Sequence, residues 1–306
     1  MQTLQPDEQT EINRQLEAAI DPWLEHMRWR PDFEKWRQGR LWQETKQKRT
    51  LATLRLFMQM AGLAGQGNEQ NFLSGLRVLD LGCGMGGLSV AMAQTGAQVQ
   101  PFDYNPAYCN ITRLRGRRYG LEFNPVNGGG EHLPFPDAHF DIIVCMDVLE
   151  HVQRPEELFS EVNRCLKPGG LLYITAINRF AFNDPHYHVR FVNWLPRRLA
   201  TPFLKLTGRH KDNSRFTDKQ TLEEMHYFRF PDLTSAAKKH GFDRTQELGE
   251  LEWGLQKSPG LSVSNHSGRK AQLISLLRKV RLLGPAYRLY RYLYKGTYQL
   301  MMVKQV

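Results

Sequence analysis

The last 54 residues, Trp253 to Val306, contain no aspartate and no glutamate, but ten lysines and arginines. The whole chain has 41 basic and 31 acidic residues, so its net charge of +10 resides entirely in that stretch. A local basic surface of this kind favours an anionic partner. Long apolar runs are lacking too. No stretch of about 18 consecutive apolar residues occurs, which excludes a membrane-spanning helix. The first residues are polar and mildly acidic, unlike a secretory signal. Cysteine is scarce, and Cys83, Cys109, Cys145 and Cys165 form no C-x-x-C pair. That points to buried, reduced thiols and a cytoplasmic setting. What is present suffices for a core: 41% of the 306 residues are hydrophobic, enough for one large domain with appendages.

The most informative stretch is Leu76 to Ser89, Leu-Arg-Val-Leu-Asp-Leu-Gly-Cys-Gly-Met-Gly-Gly-Leu-Ser. The apolar run Val78, Leu79, Leu81 predicts a buried strand, and Leu88 to Gln94 predicts a helix. Between them, Gly82, Gly84, Gly86 and Gly87 allow a tight turn and let a ligand approach the backbone closely. A helix start directs free N–H groups into the same hollow. Two ligand classes suit the loop. Gly82, Gly84 and Gly87 satisfy the dinucleotide spacing G-x-G-x-x-G. Asp80, Gly82, Gly84 and Gly86 satisfy D-x-G-x-G-x-G, the pattern of enzymes that use S-adenosylmethionine (SAM).

Residues 1–74 predict a helical layer, with helical spacing over Glu11–Ile20 and Leu51–Leu63 and with Trp23, Trp29, Trp36 and Trp42 between them. This layer either packs on the domain or caps the ligand mouth. From Arg77 onward strands alternate with helices, which argues for a doubly wound parallel sheet. The expected strands are Gln98–Asp103, Glu122–Val126, Asp141–Met146, Leu171–Ile177, Phe242–Leu248 and Thr297–Val303. Asp103 ends the second strand, 23 residues after Asp80, where a carboxylate can take both hydroxyls of an adenosine ribose. The next helix carries Arg113, Arg115, Arg117 and Arg118, expected to be solvated.

VLDLGCGMGG, then Asp103, then EHLPFPDAHFDIIVCMDVLEHV, then LKPGGLLYIT stand in this order over roughly residues 75–178. This series resembles the class I SAM-dependent methyltransferases. Asp147-Val-Leu-Glu-His-Val and Ala176-Ile-Asn-Arg179 resemble most the O-methyltransferases of ubiquinone synthesis. The resemblance implies an α/β, Rossmann-like seven-stranded sheet with its last strand antiparallel. It also implies SAM as cofactor, with Asp80, Gly82, Gly84, Gly86, Asp103, Tyr104, Glu131, His132 and Asp147 at its site. One departure stands out: where the family has Gly-Asp-Ala-Glu, this chain has Gly128-Gly129-Gly130-Glu131. The acid that meets the adenine amino group is thus replaced by Gly129, which leaves backbone groups or Glu131 for that contact.

On this reading the methyltransferase domain spans 75–306, with a lid at 179–230 and a basic helical insertion at 249–296. Methyl transfer to a hydroxyl calls for a general base. His151, following the fourth strand, is a candidate, as are His186 and His188 on the lid. The ubiquinone-type resemblance also implies magnesium held by Asp147, Glu150 and His151, and a structural role for this group stays open. The expected activity is O-methylation of a small-molecule or lipid-linked acceptor. The alternatives are a nucleic-acid methyltransferase, for which no Asn-Pro-Pro-Tyr motif is present, or a SAM-binding protein without catalysis. Within 268–296, Leu273, Leu276, Leu277, Val280 and Leu283 share a helical face, and Gly284-Pro285 is expected to break the helix. Tyr287, Tyr290, Tyr292 and Tyr294 then alternate with Arg288, Arg291 and Lys295. Basic amphipathic helices with tyrosines suit an anionic membrane surface, which implies a peripheral position at its inner face; the alternative is that these leucines pack against the protein's own sheet edge and the arginines are solvated.

Overall fold

The computed structural model describes residues 5–28, 30–207, 220–256 and 269–306. Trp29, residues 208–219 of the expected lid and 257–268 of the expected insertion lie outside the described residues. Seven strands form one sheet: β1 (Arg77–Leu81), β2 (Gln98–Asp103), β3 (Val126–Asn127), β4 (Phe140–Cys145), β5 (Leu166–Ile177), β6 (Phe242–Glu247) and β7 (Thr297–Lys304). Their order is β3-β2-β1-β4-β5-β7-β6. β1 pairs in parallel with both β2 and β4, and β7 runs antiparallel to β6, as expected. Val78, Leu79, Ile142, Ile143 and Val144 are fully buried, which is why these strands read as continuous apolar runs. All four cysteines are buried thiols outside any disulfide.

Two strands differ from expectation. β3 pairs over only two residues, because Pro125 just before it has no N–H to offer a ladder. β5 begins at Leu166 and not Leu171, so Lys167-Pro-Gly-Gly170 lies within it, with Gly169 at φ 73° taking up the bend.

The chain divides into two compact units, one of Met1–Cys145 with Arg164–Leu171, the other of Met146–Asn163 with Leu172–Val306. The first holds α1 (Pro6–Leu24), α2 (Phe33–Leu41), α3 (Lys48–Ala61), α4 (Gly87–Gln94) and α5 (Pro106–Arg117). Leu16, Ile20 and Leu24 of α1 pack on Ile111 and Leu114 of α5, with Trp23 and Trp36 against the same cluster. The expectation of a solvated basic face on α5 fails at two positions. Arg115 is fully buried and Arg118 nearly so, and both pair with buried Glu44, which also accepts the Tyr119 hydroxyl. Arg115 further donates to the carbonyls of Leu41 and Met85. These buried ions are stable because each finds several partners.

The second unit holds α6 (Pro155–Cys165, all but its last two residues), α7 (Arg197–Leu206), α8 (Phe230–Lys239), α9 (Leu248–Glu252), α10 (Arg269–Lys279) and α11 (Leu283–Leu293). Gly284-Pro285 does not break a helix but lies in the first turn of α11, where a proline leaves no helical hydrogen bond unmade. The leucine face of α10 is also corrected. Ile274 and Leu283 are buried with Trp253 and Tyr287, and Leu277 packs against them, whereas Leu273, Leu276 and Val280 are exposed. Arg291 and Lys295 are not free for an outside partner. Both pair with Glu247, which is fully buried and also accepts the Tyr287 hydroxyl at 2.9 Å. Tyr287 and Tyr290 belong to the same inner cluster, so only Tyr292 and Tyr294 face outward. Among the described residues no helix is long and apolar enough to cross a membrane.

Candidate functional site

In the first unit the chain leaves β1 through a turn that requires glycine. Gly82, Gly84 and Gly86 have φ of 78°, 52° and 77°, a region that side chains with a Cβ rarely adopt. At Gly86 a Cβ would also lie 2.7 Å from the Thr112 hydroxyl, whereas at Gly84 it would meet nothing within 4 Å. The turn is thus tight on the Gly86 side and open at Gly84. The amides of Gly82 and Cys83 both donate to the Phe102 carbonyl of β2, and Thr112 donates to the Gly84 carbonyl at 3.0 Å.

Asp103 stands at the end of β2. Its Oδ2 accepts the Gly84 amide at 2.7 Å and its Oδ1 accepts the Asn105 amide at 2.8 Å. Asp80 lies on β1, just before the turn. It is 2% exposed and takes the Ser89 hydroxyl at 2.5 Å, so it fastens α4 beneath the turn. Burial, with the nearby Asp103 charge adding to it, pushes its carboxyl up to about 7 despite the Ser89 hydrogen bond. Tyr104 is exposed, and its carbonyl is held by Asn127 at 2.7 Å. A Cβ at Gly129 would lie 3.2 Å from Glu131 Oε2. The Glu131 carboxylate therefore sits against the place where the family's acid would begin. His132 is exposed.

The second unit gathers Glu150, His151 and His186, whose donor atoms lie within 4.8 Å of one another. Glu150 is 1% exposed, and its Oε2 has no hydrogen-bond partner. His186 Nε2 lies 3.6 Å from Glu150 Oε1, also with no hydrogen bond. His151 and His186 meet edge to face, ring centroids 5.3 Å apart. Gln220 fixes His151. Its Nε2 donates to the His151 carbonyl at 2.8 Å, so its Oε1 must be the atom 2.9 Å from His151 Nδ1. An amide oxygen accepts, so Nδ1 carries the proton and Nε2 keeps its lone pair.

Asp147 lies outside the 4.8 Å set but close by: burial and then the Glu150 charge raise its carboxyl, while His186 and His151 lower it. Its backbone has φ 57°, its amide donates to Thr175 Oγ1 at 2.7 Å, and its Oδ1 accepts that hydroxyl at 3.1 Å. His188 is exposed and also outside it. Of the residues expected to hold magnesium, Glu150 and His151 meet, and His186 joins them, so the set is one carboxylate and two imidazoles. Magnesium demands oxygen ligands in near-octahedral order, and this set does not suit it. Sequence reading missed Gln220, Asp184, Arg197 and Tyr227. Asp184, fully buried, accepts the Tyr227 hydroxyl at 2.9 Å, Asn193 Nδ2 at 3.0 Å and the amides of His186 and Tyr187. Only an Asx-turn signal, Asn183-Asp184-Pro185, hinted at that role.

Residues 79–174 match the methyltransferase domain family. The chain is 42% identical over 108 residues to a ubiquinone biosynthesis O-methyltransferase of Xylella fastidiosa, covering 35% of this chain and 44% of that one. It is 36% identical over 132 residues to the ubiquinone biosynthesis O-methyltransferase of an Azoarcus species, covering 41% and 55%. The chain thus spans about half the length of the curated relatives it matches. In fold it is similar to the crystal structure of a candidate sarcosine dimethylglycine methyltransferase from Galdieria sulphuraria, with a TM-score of 0.50, 18% identity, and 84% and 86% of the two chains covered.

Proposed function

We propose that this chain transfers the methyl group of SAM to an oxygen atom of a small, amphiphilic acceptor. The observation that carries the reading is the open glycine turn at Gly84 with the Asp103 carboxylate bound to its amide. That arrangement suits an adenosine, since a carboxylate at the tip of the second strand stands where the ribose hydroxyls come. Glu131 serves the adenine amino group in place of the missing acid at Gly129. Bound SAM supplies a methyl group on a positively charged sulfur. The acceptor hydroxyl gives up its proton to His151 Nε2, the lone pair that Gln220 leaves free. The described lid residues, 179–207 and 220–230, would hold the acceptor, with His186 among them. The likeness to ubiquinone biosynthesis O-methyltransferases supports an oxygen acceptor on a lipid-linked or other small molecule. No step runs through magnesium. The test is calorimetry with SAM, followed by mass spectrometry of cell extracts incubated with isotope-labelled SAM. Absence of SAM binding, or methyl label appearing only in nucleic acid, would sink the reading.

A second observation bears on where the acceptor is met. Leu273, Leu276, Val280, Leu282 and Leu289 are all more than half exposed, beside exposed Arg278, Lys279, Arg281 and Arg288. The side chains of Arg269 and Lys270 lie outside the described residues. We infer that α10 and α11 rest on an anionic membrane surface. Each basic residue there contributes about 1 kcal/mol, less what salt screens. Replacing Arg278, Lys279 and Arg281 by Glu should abolish sedimentation with anionic liposomes at low salt. Wild-type protein that stays in the supernatant under those conditions would end this reading.

A further inference from the structure

Arg179 and Arg197 of the second unit are both partly buried, and neither has a carboxylate within ion-pair distance among the described residues. Arg179 follows β5, and its guanidinium donates to the carbonyls of Asn193 and Leu195. Arg197 opens α7, two residues beyond Leu195. Its guanidinium carbon lies 4.5 Å from the centre of the Tyr227 ring, and its Nη1 is buried without a hydrogen bond. Burial, and then the charge of Arg179 close by, lower Arg197 to about 10. Two like charges held together in a half-buried place, one with an unmade hydrogen bond, are stabilised by an anion.

The Asp184 charge acts on Arg197 from nearby, but no described carboxylate gives Nη1 a hydrogen bond. The nearest buried acid, Asp184, is already satisfied by four donors, and it holds Tyr227 rather than Arg197. Tyr227 links this place to the histidine cluster: the His186 ring stacks with it at 6.4 Å, and His186 faces Glu150. The buried carboxylates of Asp184 and Glu150 disfavour a dianion. A planar monoanion matches the guanidinium fork.

We propose that the acceptor is an organic acid, and that Arg197, aided by the charge of Arg179, binds its carboxylate. This rests on the methyltransferase reading and names the class of substrate for it. Tyr227 forms the wall behind the carboxylate, and the body of the acceptor extends toward His186 and His151.

Calorimetry with three probes tests this on the full chain, with and without S-adenosylhomocysteine. Benzoate should bind, and benzamide, its uncharged isostere, should bind at least 10-fold more weakly. Inorganic phosphate should bind more weakly than benzoate. Arg197→Met should weaken benzoate about 10- to 100-fold, as expected for losing a charge-assisted hydrogen bond. Arg197→Lys should recover part of that loss. Affinity for S-adenosylhomocysteine should be unchanged in both variants. Equal binding of benzoate and benzamide to the wild type overturns the proposal without any variant. So does no benzoate binding, tighter binding of phosphate, or Arg197→Met binding benzoate normally. If S-adenosylhomocysteine binds to no form, the methyltransferase reading fails, while the benzoate and benzamide comparison still decides the anion site.

Discussion

The Asp103 carboxylate accepts the Gly84 amide at 2.7 Å, so the tip of β2 and the glycine turn after β1 are one object. A ligand that uses Asp103 also meets a turn already shaped for it. Asp103→Ala should therefore weaken SAM binding by about 1.5–3 kcal/mol, or roughly 10- to 100-fold. Calorimetry that finds the affinity unchanged would remove Asp103 from the site.

His151 and Gln220 make a separable pair. His151→Ala should lower kcat by about 10²- to 10⁴-fold while SAM affinity holds, because the base acts only in the transfer step. Gln220→Leu should show a smaller drop in kcat, since the imidazole survives but its tautomer is no longer fixed. Near-normal turnover of His151→Ala would exclude it as the base.

The donor set of Glu150, His151 and His186 predicts that magnesium is not needed. Turnover should survive exhaustive chelation. A loss of activity that magnesium alone restores would overturn this.

Asp80 makes stability depend on pH in a definite direction. Its carboxyl titrates near 7 in the fold, against 3.8 as the ordinary value. Between those values the native state keeps a proton that the unfolded chain has released. Stability of the ligand-free protein should therefore fall as pH rises from about 4 to about 7, by at most about 1.4 kcal/mol per pH unit from this group. Asp80→Asn should flatten that slope. Urea midpoints at several pH values would read it, and an unaltered slope in the variant would refute the assignment.

Glu44 is the carboxylate beneath Arg115 and Arg118. Glu44→Ala leaves two buried guanidiniums short of a partner and should cost about 3–5 kcal/mol. Chemical denaturation would measure it; a change under 1 kcal/mol would show that the pair contributes little.

The frame was legible in the sequence where local chemistry decides it. The apolar runs of β1 and β4 and the glycines at positive φ each carry their own signal, and so does Asn105-Pro106, whose side chain caps α5. What stayed hidden depends on partners far along the chain. Arg115 reads as a surface residue because Glu44 lies 71 positions away, and Lys295 reads as a membrane contact because Glu247 lies 48 away. His186 could not be told from His188 by spacing. Asp184 separates them: it binds the His186 amide with its side chain and the His188 amide with its carbonyl, and only His186 joins the cluster.

Arg115 donates to the Met85 carbonyl in the glycine turn as well as to the N-terminal layer. One side chain therefore belongs to two equilibria: the seating of the N-terminal helices and the shape of the turn. Coupling of this kind is reciprocal. A ligand that steadies the turn must slow hydrogen exchange in α2 and α3 by the same free energy with which a seated layer strengthens its binding. The N-terminal helices and the turn are thereby tied, through this guanidinium and through Met85, which packs against the cluster of α1 and α2.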